Sequence, residues 1–153
     1  MAEMGFTLTC PSFLQGGPIP ATHTCDGQDS SPELHWSHAP PDTRSFVLIM
    51  DDPDAPNGTF THWVLFDIVG SARSLSEQEE SIGIPGRNDF QHERYAGPCP
   101  PPRRGEHRYF LRLYALDIEL LGLQRGATRR EVEAAMRDHI LDHTELMGRY
   151  ERR

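Results

Sequence analysis

Two aspartates, two histidines and a tyrosine stand where they could recognise an anion. The first stretch is Asp51-Asp52-Pro53-Asp54-Ala55-Pro56, with His62-Trp63 shortly after it. The second is Gly97-Pro98-Cys99-Pro100-Pro101, followed by Gly105-Glu106-His107-Arg108-Tyr109. Two imidazoles and a phenol can all donate hydrogen bonds to an anion's oxygens. A carboxylate beside them repels an anion, unless it accepts a proton from an imidazole, fixes that ring's tautomer and favours its charged form. Asp52 suits that role, and anion affinity should then rise as pH falls through the imidazole range. Asp54, ahead of Ala55-Pro56, is equally suited to bracing a turn. Arg108 lies between two candidate residues on a strand, so alternation turns it away from them, toward a structural ion pair.

Two other chemistries compete for the same residues. Asp52, Asp54, His62 and His107 are ligand types that suit zinc or iron, but no His-x-x-x-His or Cys-x-x-Cys spacing joins them. Cys99 with His107 could make a thiol nucleophile, although the proline-flanked turn offers no helix N-terminus to activate it. No Gly-x-Ser-x-Gly, phosphate-loop or dinucleotide fingerprint occurs, so no cofactor is expected. His139 and His143 suit packing or a surface, and His23, His35, His38 and His92 read as surface residues.

The elements that position these groups are short. Proline fixes its own φ and restricts its predecessor, so both proline-rich stretches predict rigid turns. Each feeds an apolar run, Trp63 to Val69 and Tyr109 to Asp117, and Phe46 to Met50 reads as a central strand buried on both faces. Phe6-Thr7-Leu8-Thr9 and Leu34-His35-Trp36 predict further short strands. The polar chain from Leu75 to Phe90 predicts a long irregular connection. Thr128-Arg129-Arg130-Glu131 fits a capping box, and Val132, Ala135, Met136, His139, Ile140 and His143 follow at helical spacing.

Bulk properties agree. The 13 glycines and 13 prolines among 153 residues point to many turns and a β-rich single domain, 1–153. A formal charge of −8 argues against nucleic acid, and Arg103-Arg104 and Arg129-Arg130 read as solvated surface. Met1 to Gly5 lacks the features of a signal peptide and no apolar run suits a membrane span, so a soluble cytoplasmic protein is expected. Three cysteines, Cys10, Cys25 and Cys99, are expected to be reduced, with a Cys10–Cys25 bridge left open. Phe60, Phe90 and Tyr95 fall in loops and suit a pocket rim or the interface of a homodimer.

Asp52-Pro53-Asp54-Ala55-Pro56, His62-Trp63 and Gly105-Glu106-His107-Arg108-Tyr109 resemble the signature of phosphatidylethanolamine-binding proteins, the Raf-kinase-inhibitor-like family. Asp26-Gly27, Ser31-Pro32, Leu34, Trp36, Tyr95 and the Gly97–Pro101 turn support the match, and the short link Asn57–Thr61 resembles the bacterial and archaeal branch. The resemblance implies a mainly β fold with added helices, a two-sheet antiparallel Greek-key sandwich with a C-terminal helix at one side. It also implies a cavity for phosphate or a phospholipid head group, built from Asp52, His62, His107 and Tyr109. Ala55, Pro56, Gly97, Pro100 and Pro101 would supply backbone and rim, and Asp54 belongs to the signature. The resulting reading is a non-enzymatic anion-binding module that regulates a protein partner. A small hydrolase or thiol-dependent enzyme using Cys99 and His107 is the alternative.

Overall fold

The computed structural model describes residues 5–153; residues 1–4, most of the stretch read for a leader, lie outside the described residues. Its elements are β1 (Thr7–Thr9), a 3-10 turn (Ala21–His23), β2 (Leu34–Ser37), β3 (Ser45–Asp52) and β4 (Phe60–Val69). They continue with β5 (Ser74–Leu75), β6 (Ile84–Pro85), β7 (His107–Leu116), α1 (Arg129–Met136), a second 3-10 turn (Arg137–His139) and β8 (Ile140–Tyr150). Two antiparallel sheets result, one ordered β1-β2-β5 and the other β6-β4-β3-β7-β8. In the larger sheet β7 returns beside β3 after a long connection, the Greek-key arrangement.

β3 is central, and all eight of its residues are buried. Its Phe46, Leu48 and Met50 pack with Trp63, Leu111 and Leu113 against Leu34 and Trp36 of the smaller sheet. Val47 and Ile49, on the opposite face, pack with Val64 and Phe66 against Val132 and Met136 of α1. Burying each such side chain contributes about 1.5–3 kcal/mol. The expected strands thus form, and the segment from Leu75 to Phe90 is irregular apart from Leu75, the end of β5, and the two-residue β6.

The helix begins where the capping box places it. Thr128 Oγ1 accepts from Glu131 N at 3.2 Å, and Glu131 Oε1 accepts from Thr128 N at 3.0 Å. Its periodicity does not carry through to His143, however: α1 ends at Met136 and Ile140 opens a strand. β8 pairs with β7 from Leu116↔Ile140 down to His107↔Tyr150, and His139 Nδ1 donates to Asp117 Oδ1 at 2.8 Å at the corner. Those ladder bonds cover the edge of β7, a tertiary gain that outweighs local helical preference.

Candidate functional site

The candidate site forms where β3, β4 and β7 come to the same end of the larger sheet. Asp52 is the last residue of β3 and follows Leu48 and Met50 on the face toward the smaller sheet. In β7, His107 and Tyr109 alternate with the exposed Arg108, and both are buried. His62 reaches the same place by an irregularity. β3 and β4 pair as Met50↔Trp63 and then Asp51↔Thr61, so His62 is the extra residue of a β-bulge. Such a bulge re-aims a side chain that strict alternation would send elsewhere. His62 and Tyr109 meet edge to face with ring centroids 5.4 Å apart, and Tyr109 stacks with His107 at 6.4 Å.

The hydrogen bonds assign a role to each nitrogen. His107 Nδ1 donates to Asp52 Oδ2 at 2.7 Å, while Asp52 Oδ1 accepts from Asp54 N at 2.8 Å. His62 Nδ1 donates to the Ala96 carbonyl at 2.7 Å. Each imidazole is therefore anchored through Nδ1, and neither Nε2 has a hydrogen-bond partner among the described residues. The Tyr109 hydroxyl is buried and also unpartnered among them. Burial, reinforced by the negative charge of Asp52, pushes its pKa well upward, so it stays a donor. Burial holds the His62 imidazole below its ordinary value, opposed by the Ala96 carbonyl and by Asp52.

Among the remaining sequence candidates, Asp54 turns away from the cluster. It accepts from Arg108 Nε and Nη2, both at 2.9 Å, and from Arg108 N at 2.9 Å. The guanidinium holds the Asp54 carboxyl below the usual carboxylate range. This ion pair pins the β3–β4 turn, in which Gly58 N donates to the Ala55 carbonyl at 3.2 Å and Pro56 is exposed. Gly97 lies against the 3-10 turn: a Cβ there would stand 2.0 Å from the His23 carbonyl oxygen, and its N–H donates to Asp29 Oδ1 at 2.8 Å. Pro100 is buried and Pro101 half-buried on the same segment.

Several functional neighbours escaped sequence reasoning. Cys25 and Cys99 are joined by a disulfide, with Cα atoms 5.4 Å apart, and Cys10 is a buried free thiol. The expectation of reduced cysteines and the Cys10–Cys25 option are both corrected, because long-range packing brings two loops together across 74 positions. While the bridge is formed, Cys99 carries no thiolate. His23 is fully buried rather than a surface residue: its Nδ1 bonds the Ser30 carbonyl at 2.9 Å and its Nε2 meets Ser12 Oγ at 3.0 Å. Arg129 is no solvated charge either, since it pairs with buried Asp51 at 2.8 Å. Of the three aromatics expected in loops, Phe60 opens β4 instead, and Phe60 and Phe90 flank His62 at centroid distances of 5.0 and 5.8 Å. Tyr95 is buried, donating from its hydroxyl to the His23 carbonyl at 2.6 Å. Asn88 locks the neighbourhood, donating to the His62 and Arg94 carbonyls and accepting from Phe90 N and His92 N. An Asn-Asp pair inside a polar loop was its one sequence signal.

Cavities of about 570 and 330 Å3 lie elsewhere on the surface and include none of the four clustered residues. Some polar groups in the larger one are already engaged: Glu93 pairs with Arg125 at 3.0 Å, and Glu79 accepts from Ser76 N and Ser81 Oγ. Unmet polar groups, rather than volume, mark the Asp52–His62–His107–Tyr109 cluster as the candidate site. Among the described residues there is no helix long and apolar enough to cross a membrane and no metal-ligand cluster.

The fold and cluster define a class: a two-sheet antiparallel β-protein with a buried polar cluster at one end of its larger sheet. The chain belongs to the phosphatidylethanolamine-binding protein family, whose profile matches residues 9–151. It is 51% identical to a UPF0098 protein of Aquifex aeolicus over 146 residues, covering 92% of this chain and 85% of that one. A UPF0098 protein of Methanothermobacter thermautotrophicus is 44% identical over 147 residues, covering 92% and 95% of the two chains. These relatives place the chain with the bacterial and archaeal type. Among solved structures, it resembles a Chlamydia trachomatis homologue of phosphatidylethanolamine-binding proteins with a TM-score of 0.92 at 35% identity, covering 97% of this chain and 99% of that one.

Proposed function

We propose that the chain is a single-domain, non-enzymatic binding protein for a small oxyanion, either phosphate or the phosphate of a phospholipid head group. Tyr109 Oη is a donor in this reading, joined by Nε2 of His62 and His107 once those rings take up a proton, with Asp52 orienting His107. Ala55, Pro56, Gly97, Pro100 and Pro101 form the rim, and Asp54 braces the turn. The observation that carries the reading is the buried Tyr109 hydroxyl without a partner. Leaving such a group unmet costs about 1–3 kcal/mol, which an anion oxygen would recover. Asp52 supports the reading too, because by accepting from His107 Nδ1 it turns Nε2 of that ring toward the anion.

Titration calorimetry with sulfate, inorganic phosphate and glycerophosphoethanolamine tests the assignment. Wild-type protein should bind at least one of them, and Tyr109→Phe should lose about tenfold in affinity, the worth of one hydrogen bond to a charged group. Absence of binding to all three overturns the reading. A cytoplasmic location, regulation of a protein partner and a homodimer with Phe60 and Phe90 near its interface belong to the same proposal. Light scattering at micromolar concentration checks the dimer, and a monomer removes it.

A further inference from the structure

Cys25 and Cys99 are both exposed, and their bridge ties together two segments that meet nowhere in sequence. On one side is the turn after Ala21–His23; on the other is Gly97–Pro101, which continues directly from Ala96, whose carbonyl accepts the hydrogen bond from His62 Nδ1. Weaker ties run in parallel. Cys25 N donates to the Pro98 carbonyl at 3.1 Å, Gly97 N to Asp29 at 2.8 Å, and Tyr95 Oη to the His23 carbonyl at 2.6 Å. The C-terminal segment also closes over the bridge. Tyr150, opposite His107 in the β7–β8 ladder, donates to Asp26, as does Arg152 at 3.2 Å. Arg152 Nη1 lies 3.8 Å from Cys99 Sγ.

We propose that Cys25–Cys99 is a reducible clasp on the anion site, so that reduction by a dithiol loosens Ala96–Pro101 and weakens anion binding; this rests on the anion-site reading above. The chemistry is an ordinary thiol–disulfide exchange. A thiolate of the dithiol attacks Cys25 Sγ, the S–S bond breaks, and Cys99 leaves as a thiolate beside the Arg152 guanidinium. The second thiol of the reductant then attacks the mixed disulfide and releases Cys25. The dithiol ends oxidised to a disulfide, and both cysteines end as thiols after taking up protons. The change stays local because neither packing layer of β3 contains Cys25 or Cys99. In a compartment that keeps thiols reduced, an exposed bridge of this kind is transient and regulatory rather than a structural staple.

The experiment compares air-oxidised protein, dithiothreitol-reduced protein and reoxidised protein, with Cys25→Ser/Cys99→Ser as a permanently open form. Two readouts are taken on each: sulfate affinity, and hydrogen exchange at the Cys25, Ala96 and Gly97 amides. Reduction should weaken sulfate binding about tenfold and speed exchange at those amides at least tenfold, while β3 amides keep their protection and reoxidation restores both. Equal sulfate affinity in oxidised and reduced protein overturns the clasp. Should the oxidised protein bind no anion, the anion-site reading fails on its own account. The clasp is then judged by exchange, and unchanged rates on reduction overturn it. Free Cys25 and Cys99 thiols in air-oxidised, folded protein overturn it as well.

Discussion

Asp51 and Asp52 sit side by side at the end of β3, 1% and 3% exposed, and strand alternation sends them to opposite faces of the same sheet. Asp51 faces α1 and is saturated. It accepts from Arg112 Nε at 3.0 Å, Arg112 Nη2 at 3.1 Å and Arg129 Nη1 at 2.8 Å. The two arginines are shared in turn with Glu145 and Glu133, and Arg129 reaches Thr61 Oγ1 at 3.2 Å. Asp52 faces one imidazole and one backbone amide, next to a phenol whose hydroxyl makes no hydrogen bond among the described residues. Burial and residue type are the same in both places. The difference lies in whether the neighbours' hydrogen-bonding capacity is used up, and only the unsaturated side has a reason to recruit a ligand.

The largest expected effect breaks the saturated side. Asp51→Ala leaves two guanidiniums facing an emptied buried position and should cost about 3 kcal/mol in urea denaturation, the low end for removing one partner of a buried ion pair. Sulfate affinity of the molecules that remain folded should not move. A variant that kept its stability but lost binding would reverse the assignment of the two faces.

Tyr109→Phe attacks the other side and should show the opposite pattern. Removing a hydroxyl that bonds to nothing should leave the urea midpoint nearly unchanged, while anion affinity falls by about 1.5 kcal/mol, roughly tenfold. A loss of stability comparable to that of Asp51→Ala would mean that the phenol has a structural partner.

The third effect is smaller and depends on pH. Burial holds the folded-state pKa of His62 below the ordinary 6.5, so the unfolded chain binds more protons over that interval. Its contribution is complete above 6.5 and drains away as pH falls toward the depressed folded value. Urea midpoints of wild type and His62→Gln, followed from about pH 8 to about pH 5, should therefore converge at the acid end. Sulfate, whose own charge is constant there, should bind more tightly as pH falls. A pH-independent sulfate affinity would count against imidazolium as the partner of the anion.

Asp54→Asn should have the smallest effect, under about 1 kcal/mol, because its pair with Arg108 is largely solvated. The contribution is present above the ordinary carboxylate value of 3.8 and is lost as pH falls through the lowered folded one. The wild-type and Asp54→Asn acid-unfolding curves should thus merge only at the most acidic end. A tenfold loss of sulfate affinity in this variant would move Asp54 from brace to ligand.

Much of this contrast was legible in the chain. The apolar run of β3 announced a central strand, the capping box marked the start of α1, and proline turns beside His62 and His107 picked out residues that do converge. The face of Arg108 followed from alternation alone, and its pair with Asp54 agrees. What stayed hidden depended on partners far away in sequence. The bulge at His62 exists only against the register of β3, so no count along β4 could reveal it. Ile140 and His143 continue a helical pattern by residue type, yet the open edge of β7 claims them for a strand. His23 and Cys25 belong to a polar-looking loop until Gly97, lacking a Cβ, lets another backbone press against it. Arg129 reads as a surface charge because its counterion lies 78 positions earlier.

The central place of β3 also has a consequence for how the chain reaches its fold. Its hydrogen-bonding partner on one side, β4, follows closely, but its partner on the other, β7, begins only at His107. Until that distant strand docks, Ser45-Phe46-Val47-Leu48-Ile49-Met50 offers a bare, uncharged edge of the kind that recruits strands from other chains. The window is bracketed by Arg44 before it and by Asp51 and Asp52 after it. Charges so placed act as gatekeepers that discourage intermolecular stacking during the slow search for long-range pairing. The two carboxylates that divide structure from site in the folded protein would thus already serve as a guard against aggregation in the unfinished one.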